Sequence, residues 1–326
     1  MKRFVILLAL PFLVLYPLIT VGCGGTQPKP ATPLTSQPTS SPKETTPPVS
    51  TPSPTPTTLS PTPSPSPSPS PSQTPTATAV IVWKAPASPV TLTVNESANT
   101  ATYQSGGTQV TGYFFKPEGL GPFPAVMVLH GKSGQNVQTR DRASWFAKQG
   151  YVAFAPDYFT PIGMSAEKFD VSFYKNNIDQ VREILGQGLE ALKSLSYVAP
   201  GRLGVYGHSL GGYLSFILGT RGDVKGIVSC SGAYAPTAPA RYSLTDICAE
   251  IKAPVLMFHC VPDTLVPIDN ANTASNLLKS KGKDYEYIVY SDGGHVFDVP
   301  GGQTYSATAT ADFQQKMLAF FQAKLK

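Results

Sequence analysis

The sequence is poor in the residues that build metal centres and disulfide frameworks. Its 326 residues include only four cysteines and four histidines, and no CxxC pair is present. The histidine spacing matches no zinc site, so we expect no bound metal. Three cysteines, Cys230, Cys248 and Cys260, lie in the C-terminal half. They permit at most one internal disulfide, in any of three pairings, and buried free thiols are the alternative.

Charged residues are also scarce, at 14% of the chain. The charged residues before position 77 are Lys2, Arg3, Lys29, Lys43 and Glu44. The remaining 250 residues therefore carry 21 basic and 19 acidic side chains. No cluster of lysine or arginine occurs among them. A nucleic-acid-binding protein usually shows a basic stripe or patch. The sequence therefore argues against a nucleic-acid partner.

Large apolar residues are nearly absent from residues 26–76, where 17 of 51 positions are proline. Proline occupies every second position over 61–71, where it alternates with Thr62 and then with serine. Such a segment cannot bury enough apolar surface to offset its chain entropy, and proline removes backbone donors. An extended polyproline II chain rises about 3.1 Å per residue, which gives a reach on the order of 150 Å. We predict a disordered linker over residues 24–79, with O-glycosylation or cell-wall contact as alternative roles.

The N-terminus has the pattern of an export signal. Lys2 and Arg3 precede an apolar run over residues 4–21, which ends in small residues before Cys23. This pattern resembles a bacterial lipoprotein signal, in which the cysteine is lipidated and becomes the new N-terminus. We predict a signal over residues 1–23 and a lipid anchor that holds the protein on the extracytoplasmic side of the membrane. An uncleaved anchor and plain secretion are the alternatives.

Residues 80–326 predict one catalytic domain in which strands and helices alternate. Period-two and continuous apolar runs predict eight strands, at 90–94, 110–116, 124–130, 151–155, 203–206, 224–229, 254–259 and 285–290. Helical periodicity predicts five helices, at 138–150, 176–195, 209–219, 270–281 and 310–323. Right-handed crossovers between successive strands then require an α/β fold with a mostly parallel, doubly wound sheet and helices on both faces.

A G-x-S-x-G motif spans Gly207 to Gly211, between a predicted strand and a predicted helix. A chain that turns so sharply forces the serine into a strained conformation, which is tolerable only beside small residues. The strain would hold the Ser209 hydroxyl at the end of the sheet. Because the N–H groups at a helix N-terminus are free, the Leu210 amide could bind an oxyanion. The motif predicts Ser209 as a nucleophile, and a purely structural turn is the alternative.

A serine nucleophile needs a base, and four histidines are available. His295 lies in a glycine-containing loop after the last predicted strand, C-terminal to the serine as this chain order requires. His208 lies inside the elbow, His259 in an apolar strand and His130 at the end of a central strand, so we interpret those three as structural. The sequence therefore predicts His295 as the general base.

Two further parts of the site are predicted from position. Asp263 follows the strand at 254–259 and would orient the imidazole and stabilise the imidazolium. Asp269 is its rival and Asp246 a weaker one. The loop after the strand at 124–130 should supply the second oxyanion donor. The Lys132 amide is the best candidate by position, and the Ser133 amide is the next.

Four motifs in this order resemble the dienelactone hydrolase family of α/β-hydrolases: His130-Gly131 with Gly134, Gly150-Tyr151-Val152-Ala153 leading to Ala155-Pro156-Asp157-Tyr158, the elbow from Gly207 to Gly212, and Asp263-x-x-Val266-Pro267 with Gly294-His295-x-Phe297. The resemblance implies a single eight-stranded α/β-hydrolase domain, no metal or other cofactor, and hydrolysis of small-molecule esters or lactones. Founding members use a cysteine nucleophile and a first-loop glutamate. Here Ser209 and an acid-free loop at Lys132 point to the serine-dependent relatives.

The predicted function is therefore ester or lactone hydrolysis by Ser209, His295 and Asp263 through an acyl-enzyme. A peptidase or acyltransferase with the same triad, or a non-catalytic surface module, are the alternatives. Two connections should overhang the C-terminal edge of the sheet, where ligands bind in this architecture. They predict a substrate pocket that includes Tyr158, Phe159, Tyr234 and Arg241, and the alternative is that these side chains pack the loops down.

Overall fold

The computed structural model describes residues 80–234 and 240–326. The predicted signal over residues 1–23, its lipidation site Cys23 and the predicted linker over residues 24–79 lie outside the described residues. Within the described ranges, no helix is both long enough and apolar enough to cross a membrane.

One sheet runs through the described part of the domain. Its strands are β1 (Thr93–Asn95), β2 (Thr100–Ser105), β3 (Thr108–Phe115), β4 (Phe123–Leu129), β5 (Val152–Pro156), β6 (Val198–His208), β7 (Val224–Cys230), β8 (Val255–Cys260) and β9 (Tyr285–Tyr290). They lie in the order β1-β2-β3-β5-β4-β6-β7-β8-β9. The six strands from β5 to β9 in this order are parallel, and β1, β2 and β3 join their edge in antiparallel pairing.

The mostly parallel, doubly wound architecture is confirmed, but the expectation of eight strands is wrong because the described residues form nine. The additional strand is β2, whose sequence, TATYQS, contains one large apolar residue. Its inward positions are Ala101, Tyr103 and Ser105, and the Tyr103 hydroxyl donates to the carbonyl of Ile184, 2.7 Å away. Burial in this strand therefore depends on tertiary contacts, which apolar periodicity does not report.

Helices cover both faces of the sheet. They are α1 (Val137–Lys148), α2 (Phe173–Asn176), α3 (Ile178–Lys193), α4 (Leu210–Leu218), α5 (Leu244–Glu250), α6 (Asp269–Ser280) and α7 (Ala307–Lys324), with a 3₁₀ turn at Thr160–Ile162. The apolar sides of α3, α4, α5 and α6 join one core cluster, and those of α1 and α7 join the cluster on the other face. The five predicted helices are confirmed, whereas α2 and α5 are too short to show a clear period.

The central strands have both faces buried because helices lie above and below them. Every residue of β5 and β8 is buried, as are the last five residues of β4. This explains why their sequences are continuous apolar runs. Since the parallel strands all point the same way, their carboxyl ends and the loops that follow them meet at one edge of the sheet.

Cys230, Cys248 and Cys260 are buried free thiols. A disulfide between Cys230 and Cys260 would require β7 and β8 to be neighbouring strands, and they are. However, Cys230 pairs in register with Phe258, so Cys260 lies two residues further along its strand. Two residues of strand add an offset of about 6–7 Å to the spacing between strands. That separation exceeds the usual Cα–Cα limit of about 7 Å for a disulfide.

Candidate active site

Ser209 lies at the sharp turn between β6 and α4 with φ 58° and ψ −117°. The two glycines around it are required by close backbone contact. A Cβ at Gly207 would lie 1.9 Å from the carbonyl oxygen of Gly211, and a Cβ at Gly211 would lie 2.4 Å from that of Leu129. The Ser209 N–H donates to the carbonyl of Cys230 at 3.0 Å. The strained conformation predicted for this serine is therefore present and is fixed by its neighbours.

Two backbone segments lie close to this serine, the start of α4 and the loop after β4. Leu210 is the first residue of α4, so its N–H has no acceptor within the helix. On the other side, the loop after β4 approaches closely, because a Cβ at Gly131 would lie 3.2 Å from the Cβ of Ser209. The structure thus brings the loop of Lys132 against the elbow, where sequence reasoning placed the second oxyanion donor.

His130 holds the peptide that precedes Lys132. Its Nδ1 lies 2.8 Å from the carbonyl oxygen of Gly131, which also accepts from the N–H of Gly134 at 3.1 Å. Since a carbonyl only accepts, Nδ1 carries the proton. In a planar trans peptide the C=O and the next N–H point in opposite directions, so the Lys132 N–H points away from the His130 ring.

Burial also determines the charge state of His130. The ring stacks on Tyr158 with 3.8 Å between centroids, and the Tyr158 hydroxyl donates to the carbonyl of His130 at 2.5 Å. Burial lowers the pKa of His130 to about 4, although the Gly131 carbonyl and Asp157 oppose this effect. His130 is therefore neutral at pH 7 and serves the loop as a hydrogen-bond donor.

Asp263 and His295 are joined directly. Nδ1 of His295 lies 2.8 Å from Oδ2 of Asp263. The other carboxylate oxygen accepts from the backbone N–H groups of Leu265 at 3.0 Å and Val266 at 2.9 Å. Burial raises the pKa of Asp263, but the hydrogen bonds from His295 and Val266 outweigh it, so the pKa lies below its usual value. The carboxylate is ionised at neutral pH and fixes the imidazole with its Nδ1–H toward Asp263.

A second histidine faces the same carboxylate, which sequence reasoning did not anticipate. His259 is fully buried in β8, and its Nε2 donates to the carbonyl of Val266 at 2.8 Å while lying 3.4 Å from Oδ2 of Asp263. Burial lowers the pKa of His259, so the ring is neutral. His259 therefore supports the turn that carries Asp263. The only signal of this role in the sequence was the position of His259, four residues before Asp263.

Two long-range contacts hold the segment from His295 to Asp298. Nε2 of His208, the residue before Ser209, lies 2.7 Å from the carbonyl oxygen of His295. Arg142 on α1 forms a bidentate pair with Asp298, with Nε–Oδ2 at 2.9 Å and Nη2–Oδ1 at 2.6 Å. The partners are 87 and 156 residues apart in sequence. No local motif could have revealed either contact.

The rival acids lie elsewhere. Asp269 is exposed in the first turn of α6, and Asp246 lies in the first turn of α5, where it bonds Ser243. Asp157 receives hydrogen bonds from the N–H groups of Phe159 at 2.9 Å and Thr160 at 3.2 Å, which is a structural use of that carboxylate. Asp263 is the acid that the structure brings to His295.

The four predicted pocket residues are largely engaged within the protein. Tyr158 and Tyr234 are buried, and the Tyr234 hydroxyl donates to Oγ of Ser229 at 2.5 Å, so both hydroxyls are used internally. Phe159 is buried against Phe169 and Phe173. Arg241 is exposed and bonds Asp179 at 2.7 Å. The three buried residues, Tyr158, Phe159 and Tyr234, could therefore contact a substrate through their ring surfaces but not through free polar groups.

No group of three or more histidine, cysteine, aspartate or glutamate side chains within residues 80–234 and 240–326 has a geometry that could hold a metal ion. The chemistry that the arrangement supports is nucleophilic. It combines a hydroxyl on a strained turn, an imidazole whose tautomer is fixed by a carboxylate, and the free N–H of Leu210 at the start of α4.

Known proteins resemble this chain in sequence. A protein from Synechocystis sp. that is named as a candidate carboxymethylenebutenolidase is 27% identical over 252 residues, which cover 72% of this chain and 100% of that protein. Protein usf from Aquifex pyrophilus is 27% identical over 234 residues, covering 68% of this chain and 97% of its own.

Solved structures share the fold. A dienelactone hydrolase-like promiscuous phosphotriesterase from metagenomic libraries has a TM-score of 0.57 at 23% identity, covering 69% of this chain and 97% of that one. An acylaminoacyl peptidase from Pyrococcus horikoshii has a TM-score of 0.58 at 20% identity, covering 73% of this chain and 42% of that one. The family model described as "Dienelactone hydrolase family" matches residues 110–325. Because this match spans about two thirds of the sequence, the chain belongs to the dienelactone hydrolase family and is an ester-bond hydrolase with the α/β-hydrolase fold.

Proposed function

We propose that the protein is a serine hydrolase that cleaves carboxylic esters or lactones with Ser209, His295 and Asp263 through an acyl-enzyme. The observation that carries the proposal is the 2.8 Å bond between His295 Nδ1 and Asp263, at the sheet edge where Ser209 is held in its strained turn. The bond to Asp263 leaves Nε2 of His295 as the basic nitrogen of the neutral ring. A base of this tautomer is what a serine nucleophile requires.

In the first half of the reaction, the Ser209 hydroxyl attacks the carbonyl carbon while His295 Nε2 takes its proton. The amides of Leu210 and Lys132 stabilise the oxyanion of the tetrahedral intermediate. Each pre-organised donor of this kind contributes a factor of about 10²–10³ in rate. Asp263 stabilises the imidazolium, which then protonates the leaving alcohol as the acyl-enzyme forms.

In the second half, His295 takes a proton from water, and the resulting hydroxide attacks the acyl carbon. Collapse of the second tetrahedral intermediate releases the acid and returns the proton to Ser209. With a lactone, the leaving alcohol remains attached to the acyl group, so the product is a hydroxy acid. No metal or other cofactor is needed for either half.

The test is hydrolysis of p-nitrophenyl acetate, butyrate and octanoate, and of a simple lactone, by the full-length chain in detergent. We expect turnover that is lost in Ser209→Ala, by a factor on the order of 10⁴ or more. Ser231→Ala is the matched control. Ser231 is also buried with a positive φ, and it follows the neighbouring strand β7.

Activity retained in Ser209→Ala, or no Ser209-dependent turnover of any ester or lactone, would contradict the proposal. Reaction of Ser209 with a fluorophosphonate without ester turnover would instead indicate a peptidase or acyltransferase. No reaction with the probe at all would favour a non-catalytic surface module. The dependence of rate on acyl length would define the size of the acyl site.

The proposal includes the location of the enzyme. The support is sequence alone: a basic start, an apolar run over residues 4–21, Cys23 and a proline-rich linker. We propose that residues 1–23 are a lipoprotein signal and that a lipid on Cys23 anchors the domain outside the cytoplasm. Incorporation of a fatty-acid label that disappears in Cys23→Ser is the expected result. Membrane retention of Cys23→Ser without label would indicate an uncleaved anchor, and release into the medium would indicate secretion.

A further inference from the structure

The residue between Gly207 and the nucleophile has a contact that the reaction scheme does not use. His208 is buried, and its Nε2 lies 2.7 Å from the backbone carbonyl oxygen of His295. Because a carbonyl only accepts hydrogen bonds, the His208 Nε2 must carry a proton. The two imidazole rings lie 4.9 Å apart between centroids. The backbone of the base is thus tied to the residue adjacent to the nucleophile.

This donor is uncharged. Burial lowers the pKa of His208 to about 3, helped by the positive charge of Arg142 and by the neighbouring His295 ring, and opposed by Asp298 and the His295 carbonyl. At neutral pH the single ring proton is therefore on Nε2. The absence of charge matters because His295 becomes an imidazolium during the reaction, and a second cation beside it would raise the cost of that step.

The far end of the same segment is held independently. Asp298, three residues after His295, forms its bidentate pair with Arg142 on α1, and both side chains are mostly buried. The side chain of Asp298 and the carbonyl of His295 are therefore both attached to the body of the domain. Between these two attachments, the direction of the His295 imidazole is set by the bond from Nδ1 to Asp263.

We infer that His208 is a positioning residue for His295. The Nε2–H of His208 holds the His295 carbonyl, so that the His295 imidazole stays bonded to Asp263 and keeps its own Nε2 available to Ser209. The inference rests on the proposed function for its catalytic consequence. Its structural part, the support of the bond between His295 and Asp263, stands apart from turnover. A misplacement of about 1 Å in a reacting group can cost a factor on the order of 10² in rate.

The test compares His208→Gln with His208→Asn in the full-length chain. Both side chains are neutral amides, but glutamine places its NH₂ as far from Cβ as the imidazole places Nε2, whereas asparagine is one methylene shorter. We expect His208→Asn to lower kcat for a p-nitrophenyl ester by about 10–100-fold with little change in KM. We expect His208→Gln to recover most of that loss.

A second readout does not depend on turnover. A proton NMR spectrum should contain a low-field signal from the His295 Nδ1–H, assigned by its loss in Asp263→Asn. The signal should persist in His208→Gln and disappear or broaden in His208→Asn, with circular dichroism confirming that both variants are folded. If His208→Asn unfolds, His208→Leu, which lacks a donor, takes its place in the comparison.

Equal kcat values in the glutamine and asparagine variants, an effect confined to KM, or a low-field signal retained in both would overturn the inference. The two readouts also separate it from the proposed function. If no Ser209-dependent hydrolysis exists, the kinetic comparison fails in wild type, yet the low-field signal still tests whether His208 holds His295 on Asp263.

Discussion

The serine elbow, residues 207–211, and the histidine loop, residues 295–298, meet at the same edge of the sheet but are held by different contacts. Backbone proximity fixes the elbow, since a Cβ at Gly207 would meet the Gly211 carbonyl at 1.9 Å. Side chains from distant elements fix the histidine loop, through His208, Asp263 and Arg142. The elbow is therefore a local property of the sequence, and the histidine loop is a product of the finished fold.

This difference has a consequence for substitutions. Adding a side chain in the elbow displaces main chain at the start of α4 or at the end of β4, so it should damage folding. Removing a side chain that supports the histidine loop leaves the sheet intact, so it should damage catalysis or local stability. Each experiment below tests one side of this contrast.

The largest expected effect is on catalysis, from Asp263→Asn. Asparagine occupies the same space, but it favours the wrong imidazole tautomer, so we expect kcat to fall by a factor on the order of 10⁴. Steady-state kinetics with a p-nitrophenyl ester measure this. Asp269→Asn is the control, because Asp269 is exposed and lies at the start of α6. Comparable losses of kcat in the two variants would contradict the role of Asp263 in fixing the His295 tautomer.

The next effect is on folding, from Gly207→Ala. The new Cβ would meet the backbone of Gly211 and Gly212 in the first turn of α4, which cannot move without displacing that helix from the sheet. We expect the free energy of unfolding to fall by about 4 kcal/mol or more. Gly201→Ala on the same strand is the matched control, because a Cβ there has nothing within 4 Å. Urea unfolding curves that show equal stability for the two variants would contradict a backbone-fixed elbow.

A somewhat smaller loss of stability should follow Arg142→Met. The substitution leaves Asp298 buried without its cation, which should lower the free energy of unfolding by about 3 kcal/mol. The double variant Arg142→Met/Asp298→Leu removes the stranded charge and should recover part of that loss. A double variant less stable than the single one, measured by urea unfolding, would contradict a stranded Asp298 charge as the cause of the loss in Arg142→Met.

The smallest effect is a change in pH dependence. The pKa of His208 in the folded chain is about 3, below its ordinary value of 6.5. Between these two pH values, the unfolded chain binds a proton that the folded chain does not. Folding stability must therefore fall as the pH is lowered from 6.5 toward 3, by up to about 1.4 kcal/mol per pH unit for this residue. His208→Gln should reduce that slope between pH 4 and pH 6, as measured by urea unfolding. An unchanged slope would contradict a neutral, buried His208.

The elbow could be predicted from sequence because its requirements are local. The glycines on both sides of Ser209, with an apolar strand before and a helix after, indicate the sharp turn within a single motif. The mostly parallel, doubly wound sheet and the five helices likewise follow from apolar runs and from right-handed crossovers. The strand β2 was missed because its burial depends on one tyrosine that bonds α3.

The supports of the histidine loop could not be predicted in this way. His208 and Arg142 carry no positional signal, since their partners lie across the fold. His259 has only its position four residues before Asp263 as a signal. Their roles depend on which atoms come within hydrogen-bond distance after the sheet has formed. The pairing of Asp263 with His295 was predictable because chain order in this architecture places both after strands at the same sheet edge.

The most direct test of the central claim is to find the residue that a fluorophosphonate modifies. The full-length chain is treated with the probe, digested and examined by mass spectrometry, beside Asp263→Asn. The account predicts one adduct, on Ser209, that forms much more slowly in the variant. An adduct on another serine, or none on Ser209 in the folded wild-type chain, would contradict it.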